Sequence, residues 1–235
     1  SMGAILADEV GLGKTIEAGL VLSQKWAERK RKIILIVPAA LRKQWNTELQ
    51  EKFFLSSVIL ETKSFNQYVK NGNLNPFNQE DKIIICSYHF ARGKSSYIKQ
   101  TKWDLAVIDE AHRLRNVYKT SSKIAREIKN SLSDIPKILL TATPLQNSLL
   151  ELYGLVSIID DHIFGDLKSF KANYSYAPRE QEIPTHIKEI QWTKEGDSGT
   201  GIVARENGLA EDEQIIDPKQ LLFTDLRNRL KPVCI

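Results

Sequence analysis

Residues 3–15 read GAILADEVGLGKT, an apolar run followed by a glycine-containing turn and by the first residues of a helical pattern. Short unbroken apolar runs are typical of strands that are covered on both faces of a sheet. A strand, a glycine loop and a helix in this order form the setting of a phosphate-binding loop, where backbone N–H groups and a helix N-terminus face an anion. One short stretch therefore predicts both the fold class and a first candidate site.

Other apolar runs repeat the pattern along the chain. The strong ones occupy residues 33–37, 83–86, 105–108 and 137–142, and residues 58–60 are a weaker strand candidate. Helical spacing is found between them at residues 15–29, 41–52 and 122–129. Ser148 and Glu151 have the spacing of a capping box, which predicts that a further helix starts there. This alternation predicts an α/β fold with a doubly wound, mostly parallel central sheet.

Composition excludes several classes of protein and identifies none. The 235 residues are 42% hydrophobic and 26% charged, and no apolar run approaches the ~20 residues of a membrane span. We therefore expect a soluble protein without a membrane partner. With only Cys86 and Cys234, neither a disulfide framework nor a metal cluster is expected. The formal net charge of +4 permits a polyanionic partner without requiring one.

The glycine loop is the candidate ATP site. Lys14 would neutralise the β- and γ-phosphates, and the Thr15 hydroxyl would bind Mg²⁺. In the general pattern G-x-x-x-x-G-K-[ST], Asp8 occupies the place of the first glycine, so the match is imperfect. The alternative is a glycine-rich turn with an incidental lysine. The residues predicted to bind the nucleotide are Asp8, Glu9, Gly11, Leu12, Gly13, Lys14 and Thr15.

A pair of acids follows another apolar run. Residues 103–108 read WDLAVI and lead directly into Asp109 and Glu110. Ligands of open α/β sheets collect at the carboxyl ends of strands, so Asp109 is predicted to hold Mg²⁺ and Glu110 to orient and deprotonate the attacking water. The alternative is that the pair caps a helix. For His112, a structural histidine and a residue that couples two sites remain equally open.

Together with residues 140–147, LTATPLQN, these motifs resemble the Swi/Snf-type ATPases of helicase superfamily two. The resemblance covers about residues 3–175 and resumes near the C-terminus. It includes Asp8, because that family's motif I carries an aspartate at this position. The other matching motifs are residues 36–45 for motif Ia, 85–88 for motif Ib, 109–112 for motif II and 141–147 for motif III with its extension.

The resemblance implies a RecA-like P-loop three-layer sandwich that uses ATP and Mg²⁺ and moves on double-stranded DNA. It implies that Thr141 and Thr143 relay the state of the nucleotide, with His112 as a third coupling candidate. For Trp45, a buried core aromatic is an equal alternative to DNA contact. The residues that would contact the DNA backbone are Pro38, Ala39, Gln44, Trp45, Ser87, Tyr88, Gln146 and Asn147.

The domain organisation follows from the same resemblance. Residues 1–177 would form the first RecA-like lobe, residues 178–220 an irregular insertion or appendage, and residues 221–235 the start of a connection toward a second lobe. The second lobe would carry an arginine finger, and a glutamine-containing adenine-recognition segment would precede residue 1. We therefore expect the chain alone to be weakly active. Val10 and residues 16–20 are more similar to bacterial and archaeal members than to eukaryotic ones, so we expect a prokaryotic, cytoplasmic and nucleoid-associated protein.

Two other functions remain open from the sequence. A DEAH- or DEAD-type RNA helicase lobe would share the phosphate loop and the acidic pair. Such proteins typically have Ser-Ala-Thr in motif III, whereas this chain has Thr-Ala-Thr at residues 141–143, followed by the extension at residues 144–147. The second alternative is a nucleotide- or DNA-binding module that is inactive on its own.

Overall fold

A computed structural model describes residues 3–7, 13–143 and 148–174, and the backbone of residues 190–191 and 203–204. A single parallel sheet forms the centre, with the strand order β1-β6-β5-β2-β4-β3. This confirms the predicted α/β class with its mostly parallel sheet. The strands are β1 (Gly3–Leu6), β2 (Ile33–Val37), β3 (Ser57–Ile59), β4 (Ile83–Ser87), β5 (Leu105–Asp109) and β6 (Lys137–Leu140).

The central strands are apolar without interruption because both of their faces are covered. All five residues of β2 are fully buried. Successive side chains of a strand point to opposite faces, so Ile34 and Ile36 join one core cluster while Ile33 and Leu35 join the other. Helices pack on both faces, which gives three layers.

The helices divide between these two faces. Helices α1 and α2 contribute to the core that contains Leu22 and Leu49, and the remaining helices contribute to the core that contains Phe65 and Phe170. None of the described helices is long and apolar enough to cross a bilayer. The helices are α1 (Lys14–Ala27), α2 (Arg42–Phe53), α3 (Thr62–Lys70), α4 (Tyr88–Gly93), α5 (Ser95–Lys99), α6 (Lys123–Ser131), α7 (Leu149–Ile159) and α8 (Leu167–Tyr174).

Helix α7 begins where the sequence predicts, but the predicted capping box is not formed. The Ser148 side chain makes no capping hydrogen bond. The carboxylate of Glu151 lies instead with its Oε1 3.3 Å from Nε of Arg115, which belongs to the segment after β5. Gly154 packs so closely on the same segment that an added Cβ would lie 1.8 Å from the Arg115 carbonyl oxygen. A tertiary ion pair has therefore replaced a local cap.

The candidate site residues gather at one edge of the parallel sheet. The carboxyl ends of β1, β6, β5, β2 and β4 lie along the same edge, which brings together segments that are distant in sequence. The basic run at residues 29–32 lies at the opposite edge, before β2. There Lys32 pairs with Glu80 at 3.2 Å and Lys30 lies 3.9 Å from Asp104. The basic run therefore forms surface ion pairs at the edge of the sheet opposite the candidate site.

Only a short part of the predicted insertion is described. Strand β7 (Ile190–Gln191) pairs antiparallel with β8 (Val203–Ala204). The rest of residues 178–220 and the predicted connection at residues 221–235 lie outside the described residues.

Candidate nucleotide and nucleic-acid site

The phosphate loop leads into α1 through a glycine. Gly13 has φ 96° and ψ 16°, a left-handed conformation that glycine adopts without a steric penalty. Lys14 and Thr15 are then the first residues of α1, where free N–H groups and the helix dipole favour an anion. Both residues are half-buried. The other nucleotide-binding candidates, Asp8, Glu9, Gly11 and Leu12, lie outside the described residues.

Asp109 is the last residue of β5, and its carboxylate is held by two N–H donors. The indole Nε1 of Trp45 donates to Oδ2 at 2.8 Å, and the backbone N–H of Glu110 donates to Oδ1 at 2.8 Å. The hydroxyl of Tyr88 donates to the main-chain carbonyl of Asp109. Burial raises the pKa of Asp109, while the two N–H donors and the charge of Lys14 oppose that rise. The charge of Lys14 is therefore close enough to act on the carboxylate of Asp109.

Glu110 has a strained backbone. Its φ of 53° and ψ of 46° lie in the left-handed region, which residues with a Cβ rarely adopt. A turn of 3-10 helix, Ala111–Leu114, begins immediately after it. Strain of this kind persists only where the surrounding structure determines it, and it clusters at functional sites.

His112 lies beside Glu110. Its Nδ1 is 3.1 Å from Oε2 of Glu110, which is an ion-pair distance. The alignment does not make this a hydrogen bond, and Nδ1 is buried without a hydrogen-bond partner among the described residues. We take the contact as close packing of the two side chains. The structural and the coupling role of His112 both remain compatible with it.

The two threonines of motif III follow β6. Thr141 is 1% exposed, and its N–H donates to the carbonyl of Leu6 at 3.1 Å. Because Leu6 ends β1, Thr141 lies beside the end of the strand that precedes the candidate phosphate loop. Its Oγ1 accepts a hydrogen bond from the N–H of Thr143 at 3.2 Å, and Thr143 itself is exposed. Thr141 therefore lies between the first strand and Asp109 at the same edge of the sheet.

The surface candidates for DNA contact are fewer than the resemblance implies. Ala39 and Gln44 are exposed, and Gln44 donates to Glu48 at 2.9 Å. Ser87 is half-buried and caps α4, because its Oγ accepts the N–H of Phe90 at 3.3 Å.

Three of the other candidates are in the interior. Pro38 is buried, and Trp45 and Tyr88 are 2% and 6% exposed. Neither aromatic ring is open to a duplex in this structure, because both side chains pack inward and bond to Asp109. For Trp45, the structure matches the core alternative. Gln146 and Asn147 lie outside the described residues.

The structure adds a polar groove that sequence patterns do not indicate. A cavity of about 510 Å³ lies between α4 and α6. Its cationic side chains are far apart in sequence, and only the spacing of Lys123 and Arg126 on α6 hints at a shared face. A second cavity, of about 650 Å³, meets the first at His89 and extends past Ser87. The first is lined by His89, Arg92, Gly93, Ser95, Lys123, Arg126, Glu127 and Asn130.

Comparison with known proteins gives consistent matches. Residues 1–210 match the SNF2-related domain. The uncharacterized ATP-dependent helicase YqhH of Bacillus subtilis (strain 168) is 36% identical over 190 residues, which is 80% of this chain and 31% of that protein. The RNA polymerase-associated protein RapA of Proteus mirabilis (strain HI4320) is 31% identical over 222 residues, 91% of this chain and 22% of RapA. The chain thus spans less than a third of the length of either relative.

The fold has a solved counterpart. The structure of the Sulfolobus solfataricus SWI2/SNF2 ATPase core in complex with dsDNA superposes with a TM-score of 0.60 at 25% identity, covering 74% of this chain and 34% of that one. The predicted resemblance and the RecA-like fold are confirmed by these matches. The chain belongs to the SNF2-related domain family.

Proposed function

We propose that this chain is the ATP-hydrolysing first lobe of a motor that moves along double-stranded DNA. The observation that carries the proposal is the meeting of three motifs at one edge of the sheet. Lys14 begins α1, Asp109 ends β5, and Thr141 lies between them at the end of β6. Membership of the family implies ATPase activity in general.

The side chains present fit a magnesium–nucleotide complex. Thr15 offers a hydroxyl and Asp109 a carboxylate, and hard oxygen donors of this kind are what Mg²⁺ prefers. Each oxygen of Asp109 accepts one N–H from a described residue, which leaves lone pairs for a cation. Bound magnesium would supply neutralisation of phosphate charge. Lys14 would neutralise the β- and γ-phosphates, and Glu110 would orient the attacking water and accept its proton.

The groove between α4 and α6 supports a polyanionic partner. Arg92, Lys123 and Arg126 line it, and none of them pairs with a carboxylate among the described residues. Glu127 is the single acid of its lining. An excess of unpaired cations along a groove attracts a phosphate backbone without reading its sequence. The solved relative bound to dsDNA favours duplex DNA as that partner.

The first test compares nucleic acids as activators. We expect the full-length protein to hydrolyse ATP faster with duplex DNA than with single-stranded RNA. A rate raised by RNA and unaffected by the duplex would contradict the DNA motor and support the RNA helicase alternative. No response to either would leave a nucleotide-binding ATPase whose partner is not a nucleic acid.

A second test examines the groove. The double substitution Lys123→Glu and Arg126→Glu reverses two charges on α6, and Lys168→Glu with Lys171→Glu makes the same change at the same spacing on α8. We expect only the first double variant to raise the duplex concentration needed for half-maximal stimulation, by about tenfold or more. It should also reduce the salt dependence of duplex binding, since each phosphate contact contributes about 0.9 to the slope of log affinity against log salt concentration. Equal effects of the two double variants would show that net charge acts instead of the groove.

The second lobe and its arginine finger belong to the proposal as well, as does a cytoplasmic, nucleoid-associated location. Loss of an arginine finger lowers a rate by roughly 10³ to 10⁵. The 235-residue chain alone is therefore expected to bind nucleotide and turn it over slowly. Turnover by this chain at the full-length rate would show that no second lobe is needed.

A further inference from the structure

Two buried aromatic side chains hold Asp109 from different parts of the fold. Trp45 lies in α2, which follows β2, and Tyr88 begins α4, which follows β4. The Trp45 indole donates to the Asp109 carboxylate at 2.8 Å, and the Tyr88 hydroxyl donates to the Asp109 main-chain carbonyl. Both side chains are almost completely buried. One residue at the edge of the sheet is therefore fixed at its side chain and at its backbone.

Each of these bonds restrains something specific. The indole is a donor only, so a buried indole N–H without an acceptor would be costly, and Trp45 and the carboxylate hold one another in place. With the Glu110 N–H on the other oxygen, the orientation of the carboxylate is set by donors at both ends. The bond from Tyr88 fixes the peptide between Asp109 and Glu110, which is the point where the chain enters its left-handed turn.

We propose that Trp45 and Tyr88 are positioning residues for the magnesium-binding carboxylate. Both side chains are buried, and they act by setting the direction of Asp109. The inference rests on the proposed function, because it takes Asp109 as a ligand of Mg²⁺. Residues that orient a ligand in this way typically change metal affinity or activity by about 10- to 100-fold when substituted.

The test measures binding of Mg²⁺ and not turnover alone. In the full-length protein, Trp45→Phe keeps an aromatic ring and removes the N–H. The matched control is Trp103→Phe, because Trp103 is also buried and its Nε1 donates at 2.9 Å to a carbonyl outside the site, that of Ile98. Calorimetric titration of Mg²⁺ into protein saturated with a non-hydrolysable ATP analogue gives the metal affinity. Titration of the analogue in the presence of a chelator gives the metal-free nucleotide affinity.

We expect Trp45→Phe to weaken Mg²⁺ binding by about tenfold and to leave metal-free nucleotide binding unchanged. The control should keep the parent affinity for both, although each variant loses some thermal stability through the smaller ring. Parent-like Mg²⁺ affinity of Trp45→Phe would overturn the proposal for Trp45. An equal loss of Mg²⁺ affinity in both tryptophan variants would overturn it as well, since the effect would then be one of packing.

Tyr88→Phe provides a second variant with a smaller change in volume. Its control is Tyr153→Phe, because the hydroxyl of Tyr153 also donates to a main-chain carbonyl, that of Gly165, at 3.2 Å. Only Tyr88→Phe should weaken Mg²⁺ binding, and equal behaviour of the two variants would overturn the role of Tyr88. Asp109→Asn separates the two levels of the proposal. If Asp109→Asn binds Mg²⁺ as the parent does, the assignment of Asp109 as a magnesium ligand is wrong. If it loses Mg²⁺ binding while Trp45→Phe does not, only the positioning role of Trp45 is wrong.

Discussion

Replacing Glu110 by glycine is expected to leave a more stable fold than replacing it by alanine, and either substitution should abolish ATP hydrolysis. The left-handed backbone, with φ 53° and ψ 46°, costs a residue with a Cβ about 1–2 kcal/mol. Glycine has no such penalty, but it loses about 0.5–1 kcal/mol more conformational entropy on folding than alanine does. The glycine variant of Glu110 should therefore be about 0.5–1 kcal/mol more stable than the alanine variant. Both variants remove the same carboxylate, so the difference isolates the backbone.

The assay is urea denaturation of the two variants, with the midpoints compared at a common slope. Glu17 supplies the control, because it is exposed within α1, where glycine is expected to be about 1 kcal/mol less stable than alanine. The glycine variant should thus be the more stable of the two at position 110, and the alanine variant at position 17. If alanine is the more stable at both positions, Glu110 has no backbone strain and the reasoning fails. ATP hydrolysis by the full-length protein should be lost with either substitution at 110, because both lack the carboxylate proposed to activate water.

Three more predictions test other parts of the chain. Burial lowers the pKa of Lys137 from 10.5 to about 8, so the charged form of this side chain opposes folding. Because the folded protein loses the proton before the unfolded chain does, the free energy of unfolding should rise between about pH 8 and pH 10.5. Lys137→Met should remove that rise, as measured by urea denaturation across pH. Gly154→Ala should cost about 1–3 kcal/mol, because its Cβ would lie 1.8 Å from a main-chain oxygen, whereas Gly93→Ala, with no atom within 4 Å, should be tolerated. Lys14→Ala should weaken binding of a fluorescent ATP analogue, while Glu110→Gln should leave binding intact and stop hydrolysis; equal losses of affinity would contradict the two roles.

The parts of the fold that were predictable from the sequence are those with a local cause. The apolar run at residues 33–37 became β2 without a change of bounds, because a strand buried on both faces has no polar position. Helices α4 and α5, of six and five residues, were not predicted, since they are too short to show a helical period. The capping box at Ser148 failed because Glu151 is engaged by Arg115, a residue from another part of the chain. A local sequence pattern cannot show a binding partner that lies far away in the chain.

The candidate site also has a part that was predictable from the sequence and a part that was not. Lys14 with Thr15, and Asp109 with Glu110, stand next to the strands that position them, so sequence and sheet topology are enough to bring them to one edge. The groove of Arg92, Lys123 and Arg126 was not predicted, because it exists only where α4 and α6 pack side by side. Its residues share a surface and no sequence motif.

The DNA-contact candidates show why a motif cannot assign roles to single side chains. Gln44 and Trp45 are adjacent in α2, and consecutive helical residues point about 100° apart, so one is exposed and the other is bonded to Asp109. Ser87 and Tyr88 divide similarly, since the first caps α4 while the second reaches the Asp109 carbonyl. Each motif therefore offers one side chain near the surface and one that is bonded to Asp109. A duplex that contacts the outer member of either pair would bear on the same helices that orient Asp109, so these helices would connect the proposed DNA surface with the proposed nucleotide site.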